Sequence, residues 1–369
     1  GDFTVGVEDG NLAMLLAADN TTALTATGTF VFEGGDFANA SATLVTVSFN
    51  DSTTDYAATP STISIDGISA DLTAGLDVQT ISVVGLAVDI AGFVSISGNF
   101  GFGLSGSNIE VAGNNVTAQL GAGDFTVGVE DGNLAMLLAA DNTTALTATG
   151  TFVFEGGDFA NASATLVTVS FNDSTTDYAA TPLTIAIDGI SADLTAGLDV
   201  QTISVVGLAV DIAGFVSIGG NFGFGLSGAN IEVAGNNVTA QLGAGDFTVG
   251  VEDGNLAMLL AADNTTALTA TGTFVFEGGD FANASATLVT VSFNDSTTDY
   301  AATPSTISID GISADLTAGL DVQTISVVGL AVDIAGFVSI SGNFGFGLSG
   351  SNIEVAGNNV TAQLGAGDF

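Results

Sequence analysis

Apolar residues alternate with polar or small ones through most of the chain, the period-two pattern of strands that bury one face. Leu24, Ala26, Gly28, Phe30 and Phe32 fall on one side and Thr25, Thr27, Thr29 and Val31 on the other, which predicts a strand of at least nine residues. Phe3, Val5 and Val7 begin an earlier strand. Asp9-Gly10 then carries a strong hairpin signal, because a two-residue type I′ turn needs positive φ at both central positions. Leu12, Met14, Leu16 and Ala18 read as the return strand, since seven residues between turn signals are too few for a helix. Beyond a turn at Gly34-Gly35-Asp36, the residues Thr43, Val45, Val47 and Phe49 continue the alternation. Later strands centre on Ile63 and Ile65, Ile81 to Ile90, Val94 and Ile96, Phe100 to Leu104, Ile109 and Val111, and Val116 to Leu120.

The whole pattern repeats. Gly1-Asp2-Phe3-Thr4-Val5 returns at Gly123 and at Gly245, which sets three β repeats at 1–122, 123–244 and 245–366, with 367–369 opening a next one. Repeats one and three are identical, and repeat two differs only in Leu183, Ala186, Gly219 and Ala229 where the first has Ser61, Ser64, Ser97 and Ser107. The shared first and last tripeptide suggests a window cut from a longer chain. Turn signals fall at irregular spacings, near residues 9, 20, 35, 52, 67, 76, 98, 106, 114 and 122, whereas a solenoid repeats a short fixed rung. The expected fold is therefore all-β: antiparallel hairpins running on from repeat to repeat as an elongated continuous sheet, tube or sandwich that covers its apolar face. A parallel β-solenoid is the alternative.

Composition narrows the chemistry. The chain has 40 Asp plus Glu and no Lys, Arg, His, Cys or Trp. Without cationic side chains it cannot neutralise phosphates, so nucleic acid and anionic lipid are excluded as partners. Lacking Cys and His, it has no disulfides, no thiol or imidazole nucleophile and none of the usual zinc or haem ligands. Folding is still expected, because 47% of the residues are hydrophobic. No apolar run approaches the 18 to 20 residues or so of a membrane-spanning helix. Catalysis would have to rest on paired carboxylates, with nothing to activate Ser, Thr or Tyr, and no enzyme is expected.

Among the carboxylates, Asp51-Ser52-Thr53-Thr54-Asp55 places oxygen ligands at positions 1, 3 and 5, the opening of a calcium loop. Its copies put Asp173 with Asp177 and Asp295 with Asp299. The pattern departs from an EF-hand at Tyr56, where a Gly belongs, and at Thr62, where a Glu belongs. A polar turn ending the strand at Phe49 is the competing reading, and Glu8-Asp9 and Asp19-Asn20 are turns before they are ligands. Asn-X-Ser/Thr acceptors for glycans stand at Asn20, Asn39, Asn50 and Asn115 and at their copies. The Thr25, Thr27 and Thr29 row is a candidate ice- or crystal-binding face.

Gly98-Asn99-Phe100-Gly101-Phe102, Ile109-Glu110-Val111-Ala112-Gly113-Asn114-Asn115-Val116-Thr117, and Asp9-Gly10-Asn11-Leu12 leading to Leu24-Thr25-Ala26-Thr27-Gly28 resemble the repeats of giant Lys-poor bacterial surface proteins of the adhesin-like kind. The resemblance implies secretion, an extracellular or cell-surface location and a structural or adhesive task, and it transfers no site residues. The expected role is a structural segment of a filament, sheath or surface fibre whose partners are neighbouring repeats or identical chains. A stalk of a calcium-dependent adhesin is the alternative, with Ca2+ as the one expected cofactor.

Overall fold

The computed structural model of the chain describes residues 4–33, 38–122, 125–157, 160–244, 247–279, 281–349 and 352–365. The expected turn at Gly34-Gly35-Asp36, the Gly-Asp pairs opening repeats two and three, and the tripeptides 1–3 and 367–369 lie outside these residues. Every regular element among the described residues is a strand. The first repeat contributes β1 (Thr4–Leu16), β2 (Thr22–Glu33), β3 (Ala38–Asn50), β4 (Ser61–Ile65), β5 (Ile68–Leu72), β6 (Val78–Ile90), β7 (Val94–Ser105) and β8 (Asn108–Ala122). The second contributes β9 (Phe125–Leu138), β10 (Thr144–Gly156), β11 (Ala160–Asn172), β12 (Leu183–Ile187), β13 (Ile190–Leu194), β14 (Val200–Ile212), β15 (Val216–Ser227) and β16 (Asn230–Ala244). From the third come β17 (Phe247–Leu260), β18 (Thr266–Gly278), β19 (Ala282–Asn294), β20 (Ser305–Ile309), β21 (Ile312–Leu316), β22 (Val322–Ile334), β23 (Val338–Ser349) and β24 (Asn352–Leu364).

Two compact units divide the chain, one of Gly1–Glu155 with Thr168–Gln201 and one of Gly156–Val167 with Thr202–Phe369. In the first, β1, β2, β3, β6, β7, β8 and β9 pair successively as an antiparallel meander. In the second, β14 to β19 and β22 to β24 do the same, apart from the β14–β15 start that lies at its boundary. The antiparallel hairpin array is thus the fold, and the parallel alternative is not. Within the first unit, β8 pairs with β9 across the boundary of the first two sequence repeats, down to Ala122 opposite Phe125. Within the second, β16 pairs with β17 in the same way, down to Ala244 opposite Phe247.

The short strands form separate two-stranded hairpins, β4–β5, β12–β13 and β20–β21, inserted between the third and fourth long strands of each repeat. Asp66-Gly67 turns the first through positive φ at both residues, 51° and 84°.

Asp9-Gly10 is not a hairpin turn. Strand β1 runs through it against β2, and the register slips between Glu8 and Asn11, so the pair forms a β-bulge with Asp9 at φ 49°. The turn signals near 98 and 114 resolve in the same way: Gly98 and Asn115 sit in bulges inside β7 and β8, which makes two strands of the expected four. A left-handed residue serves a bulge as well as a turn, and the local sequence does not distinguish them.

The two faces of the sheet differ in side-chain size. On one, the paired positions of the first unit run Val47, Ile81, Phe102 and Val111. On the other they run Thr25, Ser48, Thr80 and Gly103. The expectation that the large apolar face is covered fails within the unit, where Ile81, Phe102 and Leu104 stay more than two-fifths exposed. It is the small-residue face that the hairpins cover, because Gly, Ala, Ser and Thr leave room for a second layer to approach closely.

Candidate functional site

The feature that distinguishes this sheet is the seat of each hairpin. In the first unit, β12–β13 from the second repeat lies over β7 and β8 of the first repeat and over β9 of its own. Ile185, Ile187, Ile190 and Leu194 face inward and form a core with Ala112, Ala135, Leu137 and Ala145. Leu183, which replaces the Ser61 of repeat one, packs at its margin. Gly101 marks the closest approach: a Cβ there would lie 2.7 Å from the Ile187 Cβ. Beside it, the Thr80 hydroxyl donates to Asp188 Oδ2 at 3.1 Å. The second unit repeats the arrangement with Ile307, Ile309, Ile312 and Leu316 over Ala234, Ala257 and Ala267, with Gly223 beneath Ile309 and Thr202 donating to Asp310. One repeat therefore clamps its predecessor.

Hairpin β4–β5 makes only the part of this core that its own repeat supplies. Leu72 is buried with Ala13, Ala23 and Tyr56. Ile65 and Ile68 are 68% and 79% exposed, whereas Ile187, Ile190, Ile309 and Ile312 are 3–4% exposed.

Each hairpin is held at its base by a buried asparagine. The Asn50 side chain is 1% exposed, donates from Nδ2 to the carbonyls of Thr54 (2.8 Å), Ala74 (3.2 Å) and Gly75 (2.8 Å), and accepts at Oδ1 from the Ser52 N–H and hydroxyl. Asn172 makes the same five bonds. Asn50 and its copies Asn172 and Asn294 are therefore not glycan acceptors, because the nitrogen a glycan would need is sealed in the loop. Asn20, Asn39 and Asn115 are exposed.

Asp51 and Asp55 sit in the same loop. Asp51 Oδ1 accepts the Thr22 N–H, as Asp173 does from Thr144 at 2.6 Å and Asp295 from Thr266 at 2.6 Å. Asp55 Oδ1 accepts the N–H groups of Ala57 (3.0 Å) and Ala58 (3.1 Å), and Asp177 and Asp299 repeat this. One oxygen of Asp51 thus ties the end of β3 to the start of β2, and one oxygen of Asp55 closes a local turn. No group of three or more acidic side chains converges among the described residues. Glu33 and Asp89 line one groove, but Asn39 stands between them in the ladder, two strand spacings or about 10 Å apart.

The threonine row does not present a flat outward face. Thr25 is buried, and its hydroxyl accepts the Thr73 N–H at 2.9 Å, tying β2 to the end of the hairpin. Asp19, by contrast, is an exposed turn residue whose carboxylate accepts the Thr21 hydroxyl at 2.7 Å and its N–H at 3.1 Å. These bonds hold its carboxyl below the ordinary Asp value, as they do for Asp141 and Asp263.

Sequence reasoning missed the seat although a signal for it was present. Gly101 and Gly103 alternate with Phe100, Phe102 and Leu104, so one face of β7 carries hydrogen atoms for side chains, the mark of a close neighbour. Comparison of the chain with protein-family models, with curated proteins and with solved structures finds no match.

Proposed function

We propose that the chain is a structural, non-enzymatic segment of a secreted filament, sheath or surface fibre, in which the joined repeats are themselves the working part. The observation that carries this reading is the joint between repeats. Strands pair across both sequence boundaries, and the hairpin of each later repeat clamps the one before it. Near-identical repeats make every joint the same, which suits extension in one dimension. The uniform negative charge and the absence of any cation suit a surface that stays clear of nucleic acid and anionic membrane. Immunogold labelling of the producing cells with an antibody to the chain tests it. Label along regular extracellular filaments or a sheath supports the reading, and label confined to the cell interior overturns it.

The stalk of a calcium-dependent adhesin is the second reading, favoured by the 40 uncompensated carboxylates. It places Ca2+ on the free oxygens of Asp51 and Asp55 and of their copies. A melting temperature that rises with calcium beyond the rise given by sodium chloride of equal ionic strength, and falls on chelation, would select it.

A further inference from the structure

We propose that the large apolar face of the sheet docks on the same face of a second copy of this chain, forming a two-layer sandwich; this rests on the structural-fibre reading and names how its chains associate side by side. Pairing sets Val47, Ile81, Phe102 and Val111 in one row across β3, β6, β7 and β8, with Leu104 opposite Ile109 in the next row. Val47, Ile81, Phe102, Leu104 and Ile109 are 37–48% exposed and, with Phe49, line an open groove of about 340 Å³. The hairpin core lies on the opposite, small-residue face. This exposure is a property of the repeat and not of its position in the chain. In the second unit Ile203, Phe224, Leu226 and Ile231, which belong to the middle repeat, are 43–48% exposed, against 42–48% for their first-repeat counterparts.

Charge decides the occupant. Strands β2, β3, β6, β7 and β8 hold three acidic residues, Glu33, Asp89 and Glu110. Glu33 lies on the Thr25 side of β2, whose alternation the bulges of its neighbours leave unbroken. Asn39 pairs with both Glu33 and Asp89, and Glu110 stands opposite Gly103, so all three fall on the small-residue face. In a chain of 40 carboxylates and no Lys or Arg, the apolar face is therefore where a second, equally acidic chain meets no carboxylate from these strands. Packed sheets lie about 10 Å apart, and the acidic faces then point away from one another across more than the Debye length of about 8 Å. A cationic partner is drawn to the acidic face instead and finds no counter-charge here. The area is sufficient for a pair. At roughly 200 Å² for a fully exposed large apolar residue, the five residues of one repeat offer about 400 Å², so two repeats of each chain reach the roughly 800 Å² per partner of a stable interface.

Sedimentation velocity of the 369-residue chain at rising concentration tests this, in about 1 M NaCl, where the Debye length falls to about 3 Å and repulsion between copies is screened. The expected result is concentration-dependent pairing. The triple variant Ile81→Glu/Ile203→Glu/Ile325→Glu puts one carboxylate on the apolar face of each repeat. It should raise the concentration needed for pairing at least about tenfold, since like charges then oppose each other across the contact. Ile203→Cys keeps the test decisive if the triple variant unfolds. Its thiol should be labelled at least about tenfold more slowly at concentrations where pairs predominate than in dilute solution. A folded triple variant that pairs as the wild type does, or pairing that leaves the Ile203→Cys thiol as reactive as in dilute solution, overturns the docking. So does a wild-type chain that stays monomeric, and its flotation with phosphatidylcholine vesicles would then assign the face to lipid. The filament reading is decided separately by the immunogold label, so the two failures are distinguishable.

Discussion

Ile187 occupies the space that any side chain on Gly101 would need, 2.7 Å from where its Cβ would lie. The two residues belong to different sequence repeats, so this fit joins one repeat to the next. Ile309 over Gly223 repeats it at the same distance.

The joint predicts position-dependent effects of one substitution. Gly101→Val drives a branched side chain into Ile187 and should destabilise the chain by about 1–3 kcal/mol, the usual cost of overpacking. Gly345→Val meets open space, and its effect should stay within about 0.5 kcal/mol. Urea unfolding of the two variants measures the difference, and equal effects would show that Ile187 does not seat against Gly101.

Asn172 is expected to be among the costliest polar residues to lose. Asn172→Ala strands the carbonyls of Thr176 and Gly197 at the base of the hairpin, while that of Ala196 keeps the Tyr178 N–H at 3.1 Å. The expected loss is about 1–3 kcal/mol, that of leaving buried acceptors unpaired. Expression in a glycosylating host checks the same burial from the other side: mass spectrometry should find no glycan at Asn50, Asn172 or Asn294, whatever the occupancy at Asn20, Asn39 and Asn115.

Strand content was legible because period-two patterning is a local property: the alternation from Leu24 to Phe32 gave β2, and that from Thr43 to Phe49 gave β3. What sequence could not decide was which signals of positive φ reverse the chain. Asp66 reverses it at φ 51°, while Asp9 bulges it at φ 49°. The covered face was also hidden, since burial of Thr25 depends on a hairpin and loop some 48 positions away meeting its hydroxyl. Size alternation at Gly101 and Gly103 carried that information, but hydrophobicity alone pointed to the Phe-bearing face.

Acid should loosen the turns at Asp19, Asp141 and Asp263. Their bonds to Thr21, Thr143 and Thr265 favour the ionised carboxyl and lower its folded pKa from 3.8. The stabilisation is therefore complete above about pH 3.8 and disappears as pH falls through the lower folded value. Carboxyl chemical shifts followed through an acid titration should give midpoints below 3.8 for these residues, and midpoints at or above it would contradict the assigned bonds.

Salt should stabilise the fold. With 40 acidic side chains and no Lys or Arg, repulsion between carboxylates is opposed only by hydrogen-bond donors and by the ions of the solution. The melting temperature should climb as sodium chloride rises from about 0.01 M, where the Debye length is about 30 Å, to about 1 M, where it is about 3 Å. A flat or falling profile would show that the carboxylates are compensated in some other way.

A hairpin is sealed by the repeat before it, and thiol labelling can probe that seal because the chain has no cysteine of its own. Ile68→Cys, Ile190→Cys and Ile312→Cys place one thiol at the same point of the three hairpins. In dilute, low-salt solution, Ile68→Cys should react at the rate of a free thiol. The thiols of Ile190→Cys and Ile312→Cys should react at least about a hundredfold more slowly, at the pace of local opening. Equal rates at all three positions would contradict the joint between repeats.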